Sequence, residues 1–136
     1  RGCRGNRGCG AVPSGNTAAP PHVHRDGLSV VGFAGEAVPR CARGVLDRAG
    51  LTPGDIDLCV FHRANQGIID FAVKKLGIDP ARCPGNIERT GNTSAASVPL
   101  LLDELVGGGA ITSGQKALCV GFGGGLTWAG ALLELA

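Results

Sequence analysis

The chain has 136 residues, enough for one domain of ordinary size and too few for two. Hydrophobic residues make up 43% and charged residues 18%, a balance typical of a packed globular core. The formal net charge is +2, but residues 1–21 carry Arg1, Arg4 and Arg7 and no acid. The rest of the chain has 10 bases and 11 acids, which argues against a basic nucleic-acid-binding domain.

Residues 1–21 contain five Gly and three Pro without apolar periodicity, which predicts a disordered tail followed by a domain over residues 22–136. No run of about 18 apolar residues is present, so no membrane span is predicted. The six cysteines form no C-x-x-C pair, which favours reduced thiols in a cytoplasmic protein, with a disulfide framework as a minor alternative. Cys3, Cys9, His22 and His24 match no standard metal spacing, and we predict no metal site.

The first half of the domain predicts a strand, a helix, a strand and a second helix. Leu28–Val31 is a short apolar run of strand type, and residues 35–49 place apolar side chains on one helical face. Residues 52–55 form a turn that leads into a buried strand over Ile56–Phe61. A second helix follows over residues 64–76 and ends at Gly77.

The second half predicts a helix and a hairpin. The helix covers residues 94–106, but Pro99 inside it leaves its start open. Residues 117–122 and 127–135 then predict an antiparallel pair of strands joined by three glycines. Strands alternating with helices before a closing hairpin indicate an α/β fold with a mixed sheet packed with helices. Helices that are apolar on more than one side suggest half of a larger protein.

Three segments contain residues that suit chemistry. His62, in CVFHRAN, follows a predicted strand at the edge where α/β sheets bind ligands, or it is a structural histidine at a helix entry. Asn92, in RTGNTSAAS, either caps the next helix or donates to a ligand there. GFGGGLTW, residues 121–128, fails the dinucleotide pattern at Leu126. Its glycines form a hairpin turn or offer backbone N–H groups to an oxyanion.

Together, H-x-A-N, G-N-T-S-A-A-S and F-G-G-G-x-T-W, in this order and at these intervals, resemble the C-terminal part of the β-ketoacyl-acyl-carrier-protein synthase III family. The resemblance covers about residues 28–136 and implies a thiolase-like C-terminal half. It also implies an acyltransferase, a condensing enzyme of fatty-acid or polyketide biosynthesis. The implied reaction is decarboxylative Claisen condensation of an acyl thioester with malonyl-acyl-carrier protein.

The same resemblance implies roles for single residues. His62 and Asn92 match the pair that binds the thioester carbonyl of the malonyl substrate and stabilises the enolate. Gly124 matches the glycine whose N–H group contributes to the oxyanion hole, and Phe122 packs beside the site. No cofactor is expected besides the coenzyme A and carrier-protein thioesters. The expected partners are acyl carrier protein, an acyl-CoA substrate and a second copy in a homodimer, with neither nucleic acid nor membrane.

Two departures from the family pattern affect the prediction. The family often has an arginine shortly after H-x-A-N that helps dock the carrier protein, and Gly67 stands there. Arg63, Lys74 and Lys75 supply positive charge nearby, as docking residues or as a solvated helix face. The family's nucleophilic cysteine lies in an N-terminal half that this chain lacks. None of the six cysteines resembles it, so the chain alone is expected to be inactive in condensation.

Other functions remain open on the sequence. Within the same superfamily, a thiolase, a chalcone-synthase-like enzyme or a hydroxymethylglutaryl-CoA synthase would share much of this pattern. In another class, the chain is a non-catalytic truncated remnant that acts as a binding module, which the unmatched residues 1–21 favour.

Overall fold

A computed structural model describes residues 27–123 and 127–136, with backbone alone for residues 27–31. The helices and strands follow the chain as α1 (Gly27–Ala49), β1 (Leu58–Phe61), α2 (Gln66–Leu76), α3 (Ile87–Thr90), α4 (Ser97–Gly107), β2 (Lys116–Gly123) and β3 (Thr127–Glu134). Single 3-10 turns lie at Pro53–Asp55, Pro80–Arg82 and Ser94–Ala96. The predicted tail and the boundary after residue 21 lie outside the described residues and stay predictions. Within the described ranges, no helix is both long and apolar enough to cross a membrane.

The three strands form one mixed sheet in the order β1-β2-β3. β1 and β2 are parallel, with Leu58 opposite Ala117, and α2, α3 and α4 make the crossover between them. β2 and β3 are antiparallel, with Lys116 opposite Glu134. The mixed sheet and the closing antiparallel pair are as the sequence predicts.

Helices cover both faces of this sheet because successive strand residues point to opposite sides. On one face, α1 and α2 pack against Cys59 and Phe61 of β1 and against alternate residues of β2. On the other face, α4 packs against Val60, Ala117 and Cys119. The five apolar residues of α2 that share one helical face are all buried: Ile68, Ile69, Ala72, Val73 and Leu76. The central residues of β1 and β2 are therefore buried on both faces, and the exposed or half-buried residues lie toward the strand ends.

The predicted strand over residues 28–31 is wrong, because these residues form the beginning of α1. A short segment with three apolar residues fits a strand or a helix equally, and here the helix predicted over residues 35–49 extends backwards through it. The structure also shows where the third predicted helix begins. α4 begins at Ser97, so Pro99 lies in its first turn, where a backbone N–H has no helical partner to lose.

Candidate active site

The site lies at the edge of the sheet where β1 and β2 both end. His62 directly follows β1, and its backbone N–H donates to the Val120 carbonyl at 2.7 Å, which extends the parallel pairing by one residue. The first turn of α4 arrives at the same edge and places the Ser97 hydroxyl oxygen 2.5 Å from His62 Nδ1. Crevices at the carboxyl ends of parallel strands are the usual ligand sites of α/β sheets.

A cleft of about 340 Å³ opens at this edge. It is lined by His62, Ala64, Asn92, Ser94, Ala95, Ser97, Val98, Gly121, Phe122 and Gly123. The structure thus brings together three residues predicted from separate motifs: His62, Asn92 and Phe122. Gly124 belongs to residues 124–126, outside the described residues, and its role stays a prediction.

Asn92 sits in a tight local turn and does not cap a helix. Its Oδ1 accepts from the backbone N–H of Ser94 at 2.9 Å, and Ala96 holds the N-cap position of α4. Gly91 before it has φ of 65°, and Ser94 after it has φ of 54°. Among the described residues, Ser94 is the one non-glycine with positive φ. Such conformations cost about 1–3 kcal/mol and cluster at functional sites, which fits a turn that fixes the Asn92 amide.

Phe122 holds the imidazole of His62 from the side. The two ring centroids are 4.9 Å apart with an interplanar angle of 72°, an edge-to-face contact. Phe122 is itself buried against the core. With Ser97 at one ring nitrogen and Phe122 at the ring, the imidazole has a defined orientation in the cleft.

The cysteines that the structure describes do not supply a nucleophile. Burial raises the pKa of Cys59 to about 12 and that of Cys83 to about 11, and it raises the pKa of Cys41 and Cys119 as well. None of the four lines the cleft. A thiol with a raised pKa is a poor nucleophile near neutral pH. Over the same residues, no group of three or more potential metal ligands is found.

The three cationic residues predicted near the docking helix occupy different environments. Lys74 and Lys75 are exposed in the last turn of α2, where Lys75 pairs with Glu36 at 2.5 Å. Arg63 is only 3% exposed, and its guanidinium donates to Gln66 Oε1 at 2.8 Å. The docking role of all three stays a prediction, but the burial of Arg63 removes its charge from the surface that a partner would contact.

Sequence reasoning did not assign Ser97, which the structure places against His62. The available signal was a hydroxyl residue near the start of a predicted helix, in the same motif as Asn92. A larger groove of about 740 Å³ runs beside α2 and the turn at Gly77. It contains neither His62 nor Asn92 and lies away from the paired strand ends.

Comparison with known proteins identifies the family. Residues 46–135 match the family described as 3-Oxoacyl-[acyl-carrier-protein (ACP)] synthase III C terminal. The Beta-ketoacyl-[acyl-carrier-protein] synthase III of Symbiobacterium thermophilum is 47% identical over 111 residues, which are 82% of this chain and 33% of that protein. A chloroplastic synthase III B of Cuphea wrightii is 41% identical over 82% of this chain and 28% of its own length.

Solved structures agree with the sequence match. The synthase III of Thermus thermophilus superposes with a TM-score of 0.82 and 42% identity, over 88% of this chain and 37% of that one. The priming β-ketosynthase of the R1128 polyketide pathway gives a TM-score of 0.80 and 46% identity, over 85% of this chain and 35% of that one. The chain spans about a third of the length of these relatives. It therefore belongs to the β-ketoacyl-acyl-carrier-protein synthase III family and corresponds to the C-terminal, thiolase-like part with its mixed sheet.

Proposed function

We propose that this chain binds the malonyl thioester in a decarboxylating condensing enzyme and stabilises the enolate that forms there. The observation that carries the proposal is the shared cleft of His62 and Asn92, in which protein contacts at His62 Nδ1 and Asn92 Oδ1 orient the two side chains. Two fixed neutral donors suit a reaction that places negative charge on a single oxygen.

In the proposed reaction, the bond between the malonyl carboxylate carbon and the adjacent carbon breaks. The electron pair moves toward the thioester carbonyl, carbon dioxide leaves, and an enolate oxygen carries the charge. The enolate carbon then attacks the carbonyl carbon of an acyl thioester held on a cysteine elsewhere in the enzyme. The new carbon–carbon bond forms, the carbon–sulfur bond breaks, and the cysteine leaves as a thiolate. Hydrogen bonds aimed at the enolate oxygen lower the barrier because they strengthen as the charge develops.

The proposed role requires His62 to donate from Nε2. The Ser97 hydroxyl, 2.5 Å from Nδ1, supports this tautomer when it donates its proton to Nδ1. A neutral imidazole then carries its single proton on the nitrogen that can reach the substrate. The proposal thus assigns Ser97 the task of keeping the proton on Nε2.

Asn92 is oriented by a corresponding contact. Its Oδ1 accepts from the Ser94 N–H, which leaves the amide NH₂ group as the donor for the thioester oxygen. The proposed oxyanion contact from Gly124 would add a backbone N–H, with Phe122 beside the site. Removal of one preorganised donor of this type typically costs about 10²–10³ in rate.

The acyl-accepting cysteine is proposed to come from polypeptide outside this chain. The described thiols have raised pKa values and lie outside the cleft, which supports an inactive isolated chain. Large apolar side chains that remain exposed, including Trp128 and Leu133 on β3, favour packing against further polypeptide. We propose that this includes an N-terminal half and a second copy in a homodimer.

The proposed substrates are malonyl-acyl-carrier protein and an acyl-CoA, with no cofactor besides these thioesters. Lys74 and Lys75 offer positive charge to an acidic carrier protein. We place the protein in the cytoplasm, which the free thiols of Cys41, Cys59, Cys83 and Cys119 support. No role in binding nucleic acid or membrane is proposed.

Both a fatty-acid and a polyketide pathway fit the comparisons. The relative from Symbiobacterium thermophilum is 47% identical and the priming ketosynthase of the R1128 polyketide pathway is 46% identical. The acyl primer distinguishes the two pathways. Condensation rates with acetyl-CoA and with longer acyl-CoA primers should be compared in the reconstituted enzyme.

The test combines the chain with the N-terminal part of a synthase III and measures carbon dioxide release from malonyl-carrier protein. His62→Ala and Asn92→Ala should each lower the rate by about 10²–10³. Asn65→Ala is the matched control, since Asn65 Oδ1 also accepts from a backbone N–H two residues later, at 2.8 Å, but lies outside the cleft. Equal loss in the control, or condensation by the isolated chain, would contradict the proposal.

A further inference from the structure

We propose that Arg63 is a positioning residue that sets the separation of His62 and Asn92, a role that rests on the proposed function of the cleft. Arg63 follows His62 directly, and its side chain is 3% exposed without lining the cleft. Among the described residues, no carboxylate lies within ion-pair distance of its guanidinium. A buried cation without an acidic partner is costly, so its guanidinium needs hydrogen bonds to other groups of the protein.

The guanidinium joins two distant parts of the chain. Nη1 donates to Gln66 Oε1 at 2.8 Å, in the first turn of α2. Nη2 donates to the Cys83 carbonyl at 2.9 Å and also to the carbonyl of Pro84. Nε is buried and has no partner among the described residues. The planar fork of arginine can hold a side chain on one side and backbone carbonyls on the other, which a lysine cannot do.

Gly85 makes this contact possible. A Cβ at position 85 would lie 2.1 Å from Arg63 Cζ and 2.2 Å from Nη1. The guanidinium therefore rests directly on the backbone of residue 85, in space that any other residue would fill. φ of Gly85 is not in the left-handed region, and the three heavy atoms nearest to an added Cβ all belong to Arg63, so the contact with the arginine favours glycine here.

The segment held by Arg63 leads to Asn92. Directly after Gly85, the buried Asn86 donates from Nδ2 to Glu104 Oε1 at 3.2 Å, which ties the segment to α4. The short helix α3 follows, and Gly91 N–H donates to the Ile87 carbonyl at 2.8 Å immediately before Asn92. The segment that leads to Asn92 is therefore held near its start by both the arginine and α4.

These contacts form a closed ring of linked elements, of which His62 and Ser97 line the cleft. α4 carries Glu104 in its body and Ser97 at its start, and Ser97 contacts His62. His62 and Arg63 are neighbours in the chain. Arg63 in turn donates to the Cys83 carbonyl, in the segment before Asn86. Removal of the guanidinium opens this ring between His62 and the segment that leads to Asn92.

An opened ring should reduce turnover and leave binding unchanged. A misplacement of about 1 Å costs about 10²-fold in rate, so a partial shift of Asn92 should lower kcat by about tenfold. The KM for the malonyl thioester should stay the same, because Arg63 does not line the cleft.

The test uses Arg63→Ala, Gly85→Ala and the double variant in the chain combined with an N-terminal synthase III part. Each single variant should lower kcat for malonyl decarboxylation by about tenfold with unchanged KM. The double variant should lose no more than Arg63→Ala, because the added methyl group at position 85 is harmless once the guanidinium is gone. Gly85→Ala also keeps the test decisive if Arg63→Ala does not fold.

The control is Arg82→Ala. Arg82 also holds backbone carbonyls, those of Gly54 at 3.2 Å and Ile56 at 3.1 Å, but at the opposite end of β1. The Arg82→Ala variant should lower the melting temperature and leave kcat unchanged. Unchanged kcat in Arg63→Ala or Gly85→Ala, additive losses in the double variant, or an equal kcat loss in Arg82→Ala would overturn the proposal.

A second readout does not depend on activity. Amide hydrogen exchange over residues 91–94 of the chain should accelerate in Arg63→Ala and Gly85→Ala and stay unchanged in Arg82→Ala. If the unsubstituted complex releases no carbon dioxide, the proposed function fails and this readout decides the positioning role alone. Faster exchange in both variants then supports it, and unchanged exchange overturns it.

Discussion

The hydroxyl oxygen of Ser97 lies 2.5 Å from Nδ1 of His62, although 35 residues separate the two in the chain. The contact joins the end of β1 to the first turn of α4, the last helix of the crossover. Ser97 is 6% exposed, so water competes little for its hydroxyl. The orientation and the tautomer of the imidazole thus depend on how α4 docks on the sheet.

Ser97→Ala should lower kcat for malonyl decarboxylation by about 3- to 10-fold, the effect of one lost hydrogen bond. The reason is that the Nε2–H tautomer of His62 loses the hydrogen bond from Ser97 that supports it. Ser97→Thr should restore most of the activity because threonine keeps a hydroxyl. Nitrogen chemical shifts of the His62 ring report the tautomer directly. Ser113→Ala, in the exposed turn before β2, is the control. An unchanged tautomer in Ser97→Ala would contradict the assignment.

Replacement of both Lys74 and Lys75 by Gln should raise the KM for malonyl-carrier protein by about 3- to 10-fold at low salt, as expected for two exposed ion pairs. The KM for malonyl-CoA, which has no acidic protein surface, should not change. Lys116→Gln serves as the control, because Lys116 is the first residue of β2 and lies outside α2. The docking prediction fails if the variant raises both KM values equally.

Cys59 should make stability fall at alkaline pH. The pKa of this thiol is raised from 9.0 to about 12, mainly because the thiol is buried. The folded state therefore holds the proton more tightly than the unfolded state does. The contribution is fully present below about pH 9 and is lost as pH rises toward about 12. Urea unfolding over this range should show a decline in the free energy of unfolding that Cys59→Ala makes shallower. Equal slopes in both proteins would refute this.

Gly130→Ala should destabilise the fold by about 1–3 kcal/mol through overpacking. A Cβ at position 130 of β3 would lie 2.8 Å from Cys41 Sγ and 2.9 Å from Val45 Cγ2, both on α1. Gly44→Ala is the matched control, because no atom lies within 4 Å of its added Cβ and it is inside α1. It should stabilise by up to about 1 kcal/mol, as alanine favours helix over glycine. Denaturant midpoints of the two variants should therefore move in opposite directions.

Much of the site could be predicted from the sequence, because its residues lie in short motifs at the ends of strongly patterned elements. His62 follows an apolar strand, and Asn92 precedes a helix in a run of small residues. The mixed sheet could also be predicted, from the alternation of strands and helices along the chain. The beginning of α1 could not be predicted, since the three apolar residues within positions 28–31 are too few to define a period.

The contacts that fix the site could not be predicted in this way. Arg63 reads as a surface cation beside a helix start, and its burial depends on Gly85 and on carbonyls about twenty residues later. Ser97 reads as an ordinary residue of a helix start until the packing of α4 brings it to His62. Such contacts depend on tertiary geometry, which a local sequence pattern does not predict.

The close approach of Arg63 to Gly85 also constrains the order in which this chain can change. A larger residue at position 85 displaces the guanidinium as long as Arg63 is present, whereas the arginine can be lost first without a clash. The order of the two replacements therefore matters. A descendant that replaces Gly85 first gives up the present position of the Arg63 side chain, and one that replaces Arg63 first leaves position 85 open to larger residues.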